Sequence, residues 1–280
     1  KSCNMLAHID HFLSAKKVEG LSNKTISNYR IYLTHFAEYS HKDAADITTD
    51  DVRGFLGSQH VKDTSLQTIL NILRSFFSWV TVEEIIVRNP MLKIKTPRRR
   101  KIAMRKCLSE EELERLRNIC ATPRERALVE FMYSTGCRVS EIVGLRLSDI
   151  DFSRRCVCVL GKGGKERMVY FSVKAKLLLE DYLRGRQGDS DGLFINTRAP
   201  FAIMSSRSMQ KLLFALGRRA ELPERVHPHL LRHTFATLSL NRGMDITMIQ
   251  LLLGHAQLST TEIYAQVDPE RVRQVYDRVV

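Results

Sequence analysis

The 280 residues contain no run of about 18 apolar positions, so no segment reads as a membrane-spanning helix. Lys1-Ser2-Cys3-Asn4 lacks the basic-then-apolar plan of a secretion leader, and a start at lysine leaves room for an upstream segment. Cysteine is scarce. Cys3, Cys107, Cys120, Cys137, Cys156 and Cys158 form no CxxC pair, and no histidine is spaced to complete a zinc module. Such scattered cysteines read as reduced thiols of a cytosolic protein rather than as a disulfide frame. Acidic residues are in deficit as well. There are 31 against 44 lysines and arginines, a formal net charge of +13. That excess favours a polyanionic partner, most often nucleic acid, over a surface that is merely basic.

Missing motifs narrow the chemistry. Gly161-Lys162-Gly163-Gly164-Lys165 resembles a phosphate loop, but Val159 stands where the first glycine is needed and Glu166 where the hydroxyl is needed. His229 and His233 have zincin spacing without the glutamate that activates water, and no GxSxG elbow occurs. The sequence therefore predicts no metal site and no nucleotide or other cofactor.

What is present begins with helical stripes. Ile26, Tyr29, Leu33 and Phe36 recur on one helical face, as do Leu66, Ile69, Leu70, Leu73, Phe77 and Val80. Leu6, Ile9 and Leu13 suggest an opening helix, and Asp51 to Leu56 a short one. Asp63-Thr64-Ser65 offers caps ahead of the long stripe. These predict a helical domain over residues 1–92. Residues 93–101 then read KIKTPRRRK, six cations in nine positions around Pro97. Residues 93–106 are expected to form an exposed linker, either a solvated hinge or, as the basic charge favours, a strap on phosphates.

A second domain is expected over 107–268. It opens on the capping box Ser109-Glu110-Glu111-Glu112. Further helices are predicted at Ala127 to Tyr133, Ser140 to Leu145, Val173 to Leu183, Met209 to Leu216, Pro228 to Leu240 and Ile246 to Leu253, with Pro228 at a first position and Gly243 as a C-terminal cap. Cys156 to Leu160 and Arg167 to Phe171 flank the glycine-rich basic tip and read as a β-hairpin. The predicted class is mainly α with a small β-sheet. Residues 269–280 are expected to form a tail helix, whose stripe Val272, Val275, Tyr276 and Val279 reads by itself as packing on its own domain.

Chemistry gathers in the second domain. Arg138 follows a glycine turn in Ser134-Thr135-Gly136-Cys137-Arg138-Val139-Ser140-Glu141. His229 and Arg232 share a helix face at i, i+3, Gly254-His255 closes a helix, and Tyr264 follows nine residues later. Taken in order, R-x-S-E, the GKGGK hairpin, H-L-L-R-H-T-F-A-T, L-L-G-H and T-x-x-Y resemble the tyrosine recombinase family, most closely Xer-type recombinases and phage or mobile-element integrases. SNKTISNYR and SFFSWV…NP extend the likeness into the N-terminal part, where it implies a core-binding domain.

The resemblance implies roles. Arg138 and Arg232 hold the non-bridging oxygens of a scissile phosphate. Lys162 protonates the leaving 5′-hydroxyl, His229 assists proton transfer, and His255 donates to the phosphate. Glu141 orients the pocket, and Tyr264 attacks to form a 3′-phosphotyrosine. Two guanidinium forks suit this work because they stay charged and clamp oxygens bidentately. The covalent intermediate stores the phosphodiester energy, so neither ATP nor metal is needed. Lys24, Arg98, Arg99, Arg100, Lys165 and Arg167 are the expected phosphate contacts. The implied partners are double-stranded DNA with paired recombination sites and a homotetramer, or a heterotetramer with a related recombinase, in the cytoplasm at the nucleoid. In such a tetramer the resemblance implies that the 269–280 helix is donated to a neighbouring protomer, a reading favoured over packing on its own domain. Type IB topoisomerase-like relaxation and a silent DNA-binding protein are the alternatives.

Overall fold

The computed structural model describes residues 4–61, 63–96, 106–161, 164, 166–254 and 269–280. The chain divides into two compact units, Lys1–Ile102 and Ala103–Val280.

The first unit holds helices α1 (Met5–Val18), α2 (Asn23–Ser40), α3 (Thr49–Ser58) and α4 (Asp63–Val82). Local chemistry sets their starts. The Ser22 hydroxyl accepts from the Thr25 N–H, and Thr48 and Asp51 form a reciprocal capping box. α4 begins at Asp63, so Asp63-Thr64-Ser65 lies in its first turn rather than ahead of it. Met5, Ile9, Phe12 and Leu13 of α1 are buried, and so are Ile69, Leu70, Leu73, Phe76, Phe77 and Val80 of α4. Edge-on rings tie the helices together, Phe12 to Phe76 at 5.5 Å and Phe36 to Phe55 at 5.1 Å. Each such pair contributes about 1 kcal/mol beyond its burial. Beyond α4, Arg74 donates to the Ile94 carbonyl at 2.7 Å and to the Thr96 hydroxyl at 2.8 Å. The first part of the basic stretch is thus fastened to this unit, and residues 97–105 lie outside the described ones.

The second unit contains α5 (Glu110–Asn118), α6 (Pro123–Thr135), α7 (Val139–Val143), β1 (Ile150–Asp151), β2 (Cys156–Leu160), β3 (Glu166–Tyr170), α8 (Val173–Gly185), α9 (Ser206–Arg219), α10 (Pro228–Asn241), α11 (Ile246–Leu253) and α12 (Pro269–Val279). The strands pair antiparallel in the order β1-β2-β3, with Cys158 opposite Met168. β1 has two residues and carries no readable alternation, which is why the sequence did not announce it. α7 stops at Val143, earlier than expected, because Gly144 takes the cap position.

α6 runs through the core and buries Ala127 to Thr135 without interruption. A helix buried on every side over its last nine residues belongs inside the fold, and its polar groups there need partners. Its buried Glu130 is answered by Arg117, whose Nε and Nη2 donate to the two carboxylate oxygens at 2.7 and 2.8 Å. α6 ends at Gly136 with φ +59°, where an added Cβ would stand 2.8 Å from both Leu253 and Phe235 side-chain carbons. Only glycine meets both demands. The α12 stripe packs on this same unit. Val272, Tyr276 and Val279 are buried, the Tyr276 hydroxyl donates to the Ser134 carbonyl at 2.7 Å, and Arg155 pairs with Asp277. The five cysteines from Cys107 to Cys158 are free thiols. Among the described residues no helix is long and apolar enough to cross a membrane.

Candidate active site

The left-handed turn at Gly136 swings the chain off the end of α6 and puts Arg138 at the start of α7. Glu141, one turn on, closes back. Its Oε2 accepts the Arg138 N–H at 2.7 Å, and its Oε1 accepts Arg138 Nη1 at 2.9 Å. Arg138 Nη2 also donates to the Gly254 carbonyl at 3.3 Å. With its side chain 30% exposed, Arg138 keeps one face toward solvent.

Arg232 approaches from α10. It is only 5% exposed, and it donates from Nη1 to the Gly136 carbonyl at 2.7 Å and from Nη2 to the Leu253 carbonyl at 2.6 Å. Burial, then the charges of Arg138 and Arg167, pull its proton affinity down to about 10. It therefore stays charged at neutral pH. Its carbonyl partners explain how a buried cation is tolerated: Gly136 and Leu253 end α6 and α11, where unsatisfied carbonyls and the helix dipoles concentrate negative charge.

Arg167 corrects an expectation. Beside the basic hairpin tip it reads as a phosphate contact, yet its side chain is 11% exposed and fully engaged. Nε donates to the Leu252 carbonyl at 2.8 Å, and Nη1 and Nη2 donate to the Glu141 oxygens at 2.7 and 2.9 Å. Sequence reasoning missed this because the partners lie 26 and 85 positions away. Burial alone would raise the Glu141 carboxyl. The bonds from Arg167 and from the Arg138 N–H outweigh it and hold the group below the usual glutamate range.

Arg138, Arg232, Arg167 and Glu141 thus form one cluster with two positive charges in excess. Such a cluster can receive an anion with several oxygens, and it strengthens as charge builds on them. Cys137 lies within it, but burial pushes its thiol up to about 11, which removes it as a nucleophile at neutral pH. His229 is exposed in the first turn of α10, its ring 6.4 Å from that of His227. His227, a residue the sequence did not single out, caps that helix through Nδ1, which accepts the Leu230 N–H at 3.2 Å. Lys24 is exposed on α2 in the other unit. Lys162, Lys165, His255, Tyr264, Arg98, Arg99 and Arg100 lie outside the described residues.

Comparison with known proteins matches residues 106–271 to the phage integrase family and residues 9–86 to its N-terminal SAM-like domain. The chain is 37% identical to tyrosine recombinase XerC of Oceanobacillus iheyensis, over 96% of this chain and 94% of that protein. It is 34% identical to tyrosine recombinase XerC of Staphylococcus aureus, over 95% of this chain and 94% of that one. Among solved structures, a lambda integrase dimer bound to a COC′ core site has the same fold, with a TM-score of 0.76 and 20% identity over 95% of this chain and 99% of that one.

Proposed function

This chain belongs to the phage integrase family and is a tyrosine recombinase, and from that premise we propose that it cuts and rejoins paired DNA sites through a 3′-phosphotyrosine at Tyr264. The observation that carries the mechanism is the anchoring of Arg138 and Arg232 on the carbonyl ends of α6 and α11, with Glu141 aiming Arg138.

In this reading the two guanidiniums grip the non-bridging oxygens of the scissile phosphate. The Tyr264 oxygen attacks phosphorus, the bond to the 5′-oxygen breaks, and that oxygen takes a proton from Lys162. A phenol titrates near 10, so it attacks as phenolate only with help, which the arginines give by field and His229 by accepting the proton. His255 donates to a phosphate oxygen. The expelled 5′-hydroxyl, or that of a partner strand, attacks the phosphotyrosine in reverse, returns its proton to Lys162 and frees Tyr264. One phosphodiester is exchanged for another, so no high-energy cofactor enters the balance. Lys24, Arg98, Arg99, Arg100 and Lys165 supply sequence-independent grip on the duplex. The excess of 44 basic over 31 acidic residues supports a DNA partner. The assembly is a tetramer of this chain on two sites in the cytoplasm, with α12 exchanged between neighbours.

Covalent capture tests the proposal. The protein is mixed with genomic fragments in EDTA and denatured, and the DNA left attached is sequenced. Adducts at a few sites, lost in Tyr264→Phe while DNA binding persists, are the expected result. Adducts in Tyr264→Phe would refute the nucleophile. Adducts spread over all DNA would point to relaxation of supercoils instead.

A further inference from the structure

The Arg167 guanidinium is shared by three segments that are distant in sequence. From β3 it closes both oxygens of Glu141 at the start of α7, and its Nε holds the last turn of α11 through Leu252. Gly254, the left-handed cap of α11, lies flat on the same side chain. A Cβ there would come within 2.9 Å of Arg167 Cδ and 3.0 Å of its Nε. The glycine is therefore required by the arginine as well as by its own φ of +63°.

A residue that only filled space here would not need this particular shape. A guanidinium presents two parallel N–H donors to a carboxylate and a third at an angle, and all three positions are used. It shares Glu141 with Arg138, since Oε1 accepts from both arginines, and both reach the end of α11, Arg167 at the Leu252 carbonyl and Arg138 at the Gly254 carbonyl. In the sequence Lys162 lies five positions before Arg167, and His255 directly follows Gly254, the cap of α11.

We propose that Arg167 is a positioning residue of strand cleavage: it fixes Glu141 so that Glu141 aims Arg138, and it ties strand β3 to the end of α11 so that these elements and Arg138 are set together. The inference rests on the recombinase reading above.

The charged and titratable groups facing Glu141 are Arg167 from β3, Arg138 and Cys137 from the turn before α7, and Arg232 from α10. Burial raises the Glu141 carboxyl, but the hydrogen bonds of Arg167 and Arg138 and the Arg167 charge outweigh it and keep the folded-state value below the unfolded one. Its contribution to holding Arg138 is therefore complete above the unfolded value and is lost as pH falls through the folded one. Removing Arg167 raises the folded value, so the loss begins at higher pH.

The test compares wild type, Arg167→Gln and Arg167→Lys. It uses single-turnover cleavage of a nicked DNA site across pH, fluorescence anisotropy for binding, and thermal unfolding. The expected result for Arg167→Gln is cleavage slower by about 100-fold, the scale of a misplaced catalytic group. Its DNA affinity and folding at the assay temperature are retained, and the acid limb of its rate profile moves to higher pH. Arg167→Lys recovers part of the rate and of the limb. A wild-type rate in Arg167→Gln overturns the proposal. So does a DNA affinity that falls in step with cleavage, or a slower rate with an unmoved acid limb. A carboxyl carbon-13 titration of Glu141 needs no turnover, so it separates this failure from that of the recombinase reading. If wild type forms no adduct, the reading falls, while a Glu141 titration unchanged by Arg167→Gln sinks the positioning role by itself.

Discussion

Arg232 spends two guanidinium N–H groups on carbonyls of two different helices and still stands beside Arg138, so its planar fork matters as much as its charge. Arg232→Lys is expected to lower single-turnover cleavage by about 100- to 1000-fold, the cost of losing one oriented donor at a developing oxyanion. Arg232→Ala is expected to be no faster, with binding to uncleaved DNA little changed in both. A gel-shift titration beside the cleavage assay checks the split, and a parallel loss of binding would move Arg232 from chemistry to recognition. At this scale the sequence was legible where a residue's partners are near in the chain. Glu141 lies three positions from Arg138, and the pair reads off the R-x-S-E motif. Arg167 was not legible, since an arginine after a run of glycines and lysines looks solvated until folding brings Glu141 and α11 onto it. Burial of a charge is a tertiary fact that composition does not encode.

Among the elements, the joint between α6 and α7 is the most constrained. Gly136→Ala forces a left-handed alanine and drives a methyl into Leu253 and Phe235. About 2–4 kcal/mol of destabilisation is expected from strain and overpacking together. Thermal unfolding should show the second unit melting roughly 5–12 °C lower, and an unchanged transition would mean that the turn relaxes freely. Helices whose ends carry capping chemistry were readable in advance. Ser109 and Glu112 exchange bonds as the motif predicts, and Pro228 opens α10. Boundaries drifted where a cap competes with the apolar stripe, as at Gly144. The hairpin strand is shifted by one residue, to Glu166–Tyr170, with the Phe171 N–H donating instead to the Arg155 carbonyl.

For the whole molecule, the formal charge of +13 makes DNA affinity an ionic-strength measurement. Each phosphate neutralised contributes about −0.9 to the slope of log affinity against log salt. Replacing Arg98, Arg99 and Arg100 by alanine is expected to flatten that slope by about 2.7, equally on specific and unrelated duplexes. A slope left unchanged would make residues 93–106 a hinge and not a strap. The packing of α12 on its own unit bears on assembly in another way. A tail tethered to the groove it fills competes there at an effective concentration in the millimolar range. A copy in dilute solution is outbid by that tether. Under the proposed exchange, a neighbour's tail gains access only when both chains sit side by side on one DNA and compete at similar local concentrations. Tail packing then works as a proximity threshold that separates bound, adjacent protomers from those that merely collide.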